Sequence, residues 1–156
     1  MATCARKRLS PHNKAMKRRL LLFPLVLLAL APFALRAQTT AKHRVLFAVS
    51  SPDEADWQMA LGNSRNLRAA LKPEPVEIEV VAFGGGIGMV KKGSAVEAEI
   101  KAAMADGTVF LACENSMRHA KLTQADLIDG VGTTPSGIVE VVRKQEQGWS
   151  YIKAGR

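Results

Sequence analysis

"HRVLFAVSSPDEADW", residues 43–57, contains the transition on which the fold depends. Its first part, "HRVLFAV" (43–49), is a continuous apolar run, the pattern of a strand covered on both faces. "SPDE" follows directly. Ser51 reads as an N-cap, Pro52 as the first helical residue and Glu54 as the acidic partner three residues after the cap, a capping box with a proline start. Trp57, Leu61, Ser64, Leu67 and Leu71 then recur at helical spacing until Pro73 stops the helix.

The same alternation continues along the chain. "VEIEVVAF" (76–83) reads as a second strand and "GGGIGMVKKG" as a loop. Ser94 and Glu97 form a second capping box, whose helix runs to Asp106-Gly107. "TVFLAC" (108–113) is a third strand, with a short helix beginning near Asn115. "TQAD" (123–126) reads as a further N-cap, and "DGVG" (129–132) as a turn with a brief strand. Thr134-Pro135 opens a last helix, ending at Gly148, with Ile138, Val141, Val142 and Gln145 on one face. "WSYIKA" (149–154) closes the chain as a strand. Strands alternating with helices predict an α/β domain, a mainly parallel sheet of about five strands with helices on both faces.

The charge sits at one end. The chain has 22 basic residues against 14 acidic ones. Residues 1–37 hold eight of the basic ones (Arg6, Lys7, Arg8, Lys14, Lys17, Arg18, Arg19 and Arg36) and no acid. The remainder is therefore neutral and has no basic stripe for a phosphate backbone, so no nucleic-acid partner is expected. The leader has the layout of a secretory signal: a basic segment ending in "KRR", the apolar run "LLLFPLVLLALAPFAL", then "RAQ", with cleavage expected after Ala37. An uncleaved anchor facing outward is the alternative. The run contains Pro24 and Pro32 and falls short of the roughly 20 residues of a spanning helix. Either way the domain is expected outside the inner membrane, in the periplasm, and away from the bilayer once the signal is cleaved. Residues 1–15 read as an upstream misassignment of the start, because "MKRRLLLF" from Met16 is itself an ordinary signal start. Residues 38–42 form a polar lead-in to the domain, 43–156.

Cys4 leaves with the leader, so Cys113 is alone in the mature chain. No internal disulfide can form, and an unpaired cysteine in an oxidising compartment must be buried, paired between chains or used chemically. Ligands of open α/β sheets bind beyond the C-terminal strand ends. Three features fall there: Ser50–Asp53 with Ser51, the glycines Gly84, Gly85 and Gly86, and the stretch from Cys113 to Arg118. The glycine run matches no phosphate-binding motif, since Ser94 stands where the lysine should be. It reads as a loop using positive φ, or as amides facing a small anion. The Cys113 thiolate would lie near a helix start. Asn115 and Ser116 could donate hydrogen bonds to it, Arg118 and His119 would add positive character, and Glu114 would oppose it if turned inward. The other reading is a buried cysteine packed as a small hydrophobe. His119 reads as a surface histidine. With no second Cys or His near Cys113, a zinc site is not expected, and no G-x-S-x-G elbow is present. "TTPSG" (133–137) reads as a capped helix start. Trp57, Trp149 and Tyr151 are expected in the core or an interface, and Met89 and Val90 at a subunit contact.

"ACENSMRHAKLTQADLIDGV" followed by "PSGIVEVVRKQEQGWSYIKAG" resembles the DsrE/DsrF-like family, and the resemblance extends through "HRVLFAVSS" and "VEIEVVAFGGG". Its most specific parts are Cys-x-Asn-Ser-Met and the closing Gly-x-x-Tyr-Ile. The resemblance implies a three-layer α/β/α domain, usually assembled as trimers or hexamers. In its sulfur-relay members, a cysteine at the position of Cys113 accepts and passes on sulfane sulfur as a persulfide. Those members work in the cytoplasm, and many carry Arg-Gly after the cysteine, where this chain has Lys121 before Leu122. The resulting expectation is an exported, homo-oligomeric sulfur carrier with Cys113 as its thiol and a sulfur donor or acceptor protein as partner. No cofactor is expected. The alternative is a non-catalytic oligomer that binds a small anion or metabolite, with Cys113 structural.

Overall fold

The computed structural model describes residues 43–155. The expectations for the leader, the start and the lead-in lie outside these residues. The elements are β1 (His43–Val49), α1 (Glu54–Ala70), β2 (Val76–Ala82), a 3₁₀ helix (Gly84–Val90), α2 (Glu97–Ala105), β3 (Thr108–Cys113), α3 (Glu114–His119), a 3₁₀ turn (Gln124–Asp126), β4 (Gly132–Thr134), α4 (Gly137–Glu146) and β5 (Ser150–Ala154). The five strands form one sheet, ordered β4-β3-β2-β1-β5, in which every pairing is parallel. This is the predicted α/β architecture.

The apolar runs in β1 and β2 exist because both sheet faces are covered. Val45, Phe47, Val49, Ile78, Val80, Ala82, Phe110 and Ala112 point to one face. There they meet Trp57 and Leu61 of α1, Ile87 and Met89 of the 3₁₀ helix, and Ile100 of α2. Leu46, Ala48 and Val81 point to the other face and meet Val141 of α4, with Phe83, Leu111 and Trp149 beside them.

Local details differ from expectation. The cap of α1 is Asp53, whose carboxylate accepts the Ala55 N–H at 2.9 Å. Ser51 lies before the helix, its hydroxyl accepting the Asp53 N–H and its carbonyl accepting the Trp57 indole N–H at 2.8 Å. Glu97 does not close a box with Ser94; its carboxylate reaches back to the Gly93 N–H at 2.6 Å. "TQAD" does cap its turn, with Thr123 and Asp126 bonded reciprocally. Met89 and Val90 are fully buried, so they belong to the core of this chain rather than to a subunit contact.

The largest departure is in α4. Its buried residues are Gly137 and Val141, whereas Ile138 is 58% and Val142 47% exposed. Of the expected apolar face, Ile138, Val142 and Gln145 thus point outward, and only Val141 packs on the sheet. The inward face carries Lys144 as well, because the strand beneath supplies a carboxylate, Glu79. Val109 and Tyr151 are half-exposed. Tyr151 is therefore not a core residue, while Trp57 is.

Candidate functional site

Strands β1, β2 and β3 are neighbours, so the three features after them do gather at one sheet edge. Cys113 ends β3 and precedes the first residue of α3. It sits beside Thr134, its register partner at the end of β4. From there the chain turns through Pro135 and Ser136 into α4, which packs Gly137 directly against Cys113.

Burial pushes the Cys113 thiol up. The Ser116 hydroxyl and the main-chain N–H groups of Gly137, Ser116 and Asn115 together pull it down further, leaving it below the ordinary cysteine value. Each of these donors favours the thiolate. The Ser116 hydroxyl also accepts the Gly84 N–H at 2.8 Å, which orients its O–H toward the sulfur. Cys113 itself is 4% exposed, although Gly84, Gly85, Asn115 and Pro135 around it are exposed.

The glycines act through close approach. A Cβ on Gly86 would lie 2.2 Å from the Val49 carbonyl oxygen, and one on Gly85 would lie 2.8 Å from Pro52 Cδ. Gly86 also donates its N–H to Phe83 rather than toward the sulfur. The run therefore locks the loop after β2 against the end of β1. Among the described residues, its link to the cysteine is the Gly84 N–H, which acts through Ser116. Ser51 is on the same rim, engaged with Asp53 at the start of α1.

Asn115 contributes its backbone N–H to the sulfur, while its side-chain oxygen accepts from Arg118 at the surface. Arg118 and His119 are exposed in the last turn of α3 and are not among the groups that shift the thiol. The Glu114 carboxylate accepts the Thr133 hydroxyl at 3.0 Å and so is engaged with β4.

Gly137 went unrecognised in the sequence. A Cβ there would meet Phe83 Cβ at 2.9 Å and Cys113 Cβ at 3.2 Å, so only glycine lets this N–H reach the sulfur without displacement. The signal was present in "TTPSG", a helix start carrying glycine at the first position. Its significance depends on β4 lying beside β3.

If the Ser116 hydroxyl holds the thiolate, Ser116→Ala should slow alkylation of Cys113 near neutral pH by roughly three- to tenfold. The pH midpoint of the reaction should rise, because the thiolate loses a donor. The pH profile of iodoacetamide labelling checks this, and an unchanged midpoint would remove Ser116 from the site.

A family model described as DsrE/DsrF-like family matches residues 43–154. Among solved structures, a protein of unknown function, MTH1491 from Methanobacterium thermoautotrophicum, is 34% identical with a TM-score of 0.68; the match covers 71% of this chain and 98% of that one. The ychN protein from E. coli is 14% identical with a TM-score of 0.57, over 71% of this chain and 97% of that one. BT1422 from Bacteroides thetaiotaomicron, also of unknown function, is 17% identical with a TM-score of 0.55, over 74% and 97%. The last two likenesses bear on the fold alone. A search among curated proteins gave no match.

Proposed function

Given that the chain belongs to the DsrE/DsrF-like family, we propose that it is an exported carrier of sulfane sulfur that uses Cys113 as its thiol. What supports this reading is the setting of one sulfur: Cys113 ends β3 packed against Gly137, and the Ser116 hydroxyl with the backbone N–H groups of Gly137, Ser116 and Asn115 holds its thiol below the ordinary cysteine value. The Cys113 thiolate attacks the outer sulfur of a polysulfide or a protein persulfide. A new S–S bond forms at Cys113 and the donor's S–S bond breaks, its electron pair leaving with the shortened polysulfide or the thiolate. The product is a Cys113 persulfide whose inner sulfur stays where the thiolate was and whose charge lies on the added outer sulfur. The reverse exchange passes the sulfur to an acceptor thiolate, so no external oxidant or reductant is consumed. Export is proposed on the leader's layout alone.

The near-complete burial of Cys113 supports a second reading, a non-catalytic binding protein with a structural cysteine. Labelling kinetics separate the two. Native protein labelled with a midpoint below that of ordinary cysteine supports the carrier. Labelling only after denaturation supports the binding protein.

We also propose a homo-oligomer, a trimer or hexamer. The outward stripe of Ile138 and Val142 on α4 supports it, as does exposed Val109 on β3, since exposed large apolar side chains suit a subunit contact. Light scattering is expected to give a multiple of the chain mass that falls on Ile138→Lys/Val142→Lys substitution. A monomeric native protein would end this part of the proposal.

A further inference from the structure

Of the two glutamates in β2, Glu77 is exposed, whereas Glu79 lies on the face covered by α4 and is 4% exposed. One carboxylate oxygen accepts from Lys144 Nζ at 2.5 Å; the other is buried and has no partner among the described residues. Lys144 lies in the last turn of α4, 4.3 Å from the centre of the Trp149 ring and 3.8 Å from Glu140. The other Glu140 oxygen accepts from the Thr134 hydroxyl at 3.4 Å, and Thr134 is the register partner of Cys113. A line of polar contacts thus runs from Glu79 beneath α4 to the neighbour of the thiol.

As a source of stability this pair is poor. Burial, with a smaller push from the Glu140 charge, raises the Glu79 carboxyl by more than the hydrogen bond and charge of Lys144 lower it. The Trp149 indole N–H is also buried without a partner. A well-packed apolar pair would stabilise the same place at least as well. What a buried ion pair can add is a unique register.

Register is what the site needs. Between its two ends α4 meets the sheet through Val141, on Leu46, Ala48 and Val81, an apolar contact that is less directional than a hydrogen-bonded ion pair. Gly137 and Lys144 are seven residues apart, about 10 Å along a helix. Glu79 is paired with Val109, four residues before Cys113, a separation of about 13 Å along a strand. The two spans are close enough for Lys144 to reach Glu79 while the Gly137 N–H reaches the sulfur.

We propose that Glu79 and Lys144 are positioning residues: their ion pair fixes the register of α4 on the sheet and thereby holds the Gly137 N–H on the Cys113 sulfur. This rests on the reading of Cys113 as the working thiol. The test is the pH profile of iodoacetamide labelling, measured with thermal melting, for the wild type, Glu79→Gln and the double variant Glu79→Gln/Lys144→Met. The double variant removes both partners of the buried pair, leaves Glu140 bonded to the Thr134 hydroxyl, and keeps the test available where Glu79→Gln alone unfolds. Both changes are expected to raise the labelling midpoint and slow labelling at neutral pH by about threefold or more, in proportion to lost thiolate. A depressed wild-type midpoint that stays unchanged in the folded double variant overturns the positioning role alone. A wild-type midpoint no lower than that of ordinary cysteine overturns the carrier reading and this inference with it.

Discussion

Cys113→Ser protein incubated with polysulfide is expected to keep its mass, while the wild type gains about 32 Da, one sulfur atom. The effect should be all or none, because Cys113 is the only cysteine beyond residue 37. Serine places an oxygen in the same ring of donors, but a hydroxyl stays protonated near neutral pH and does not form a persulfide. The substitution is nearly isosteric, and the donors at the site can hydrogen-bond serine as they do the thiol, so the fold should survive. A loss of uptake then reports chemistry rather than collapse. Sulfur uptake that persists in the serine variant would refute Cys113 as the carrier. Uptake by neither protein would favour the structural reading of the cysteine.

Gly86→Ala should be the most destabilising single methyl group that can be added near the site. Its Cβ would lie 2.2 Å from the Val49 carbonyl oxygen and 2.7 Å from the carbonyl carbon. Both are main-chain atoms at the end of a central strand and cannot rotate away as a side chain would. The 3₁₀ helix must lift or β1 must bend, and Val49 is fully buried with Ile87 and Met89 packed in the same core. Overpacking that forces backbone shifts costs about 3 kcal/mol. For a domain of this size that corresponds to a melting temperature lower by roughly 10–20 °C. Gly62→Ala is the matched control. It lies within α1 with nothing within 4 Å of the added Cβ, so it should raise stability by up to about 1 kcal/mol. Thermal melts of the two variants check the pair of expectations, and equal melting temperatures would contradict the contact.

The architecture was legible because its signals are local. Unbroken apolar runs, cap residues and a helix stop mark βα alternation without knowledge of any contact. The common edge of Ser51, the glycine run and Cys113 followed from the same alternation. What stayed hidden depends on which strands become neighbours. Gly137 matters because β4 docks beside β3 and the chain turns back over the thiol. The inward face of α4 could not be read from its own apolar residues, because the sheet beneath it presents Glu79, and Lys144 turns in to meet it. In hindsight the glutamate inside "VEIEVVAF" was the clue, a charge at a position both of whose neighbours are buried. Arg118 shows the opposite error. Its proximity in sequence suggested a charge on the thiol, yet helical geometry pairs it with Asn115 at the surface.

The strand order has a kinetic consequence. β1 lies between β2 and β5, so Val45 pairs with Ile78, 33 residues later, and with Ser150, 105 residues later. The second pairing closes a loop that spans almost the whole domain, and such high contact order slows folding. Until the last strand is available, the first strand keeps one bare edge and the sheet stays incomplete. A ribosome-bound chain therefore cannot finish folding this sheet before β5 emerges. If the chain is exported as an unfolded polymer, that delay keeps it threadable for as long as it is being made.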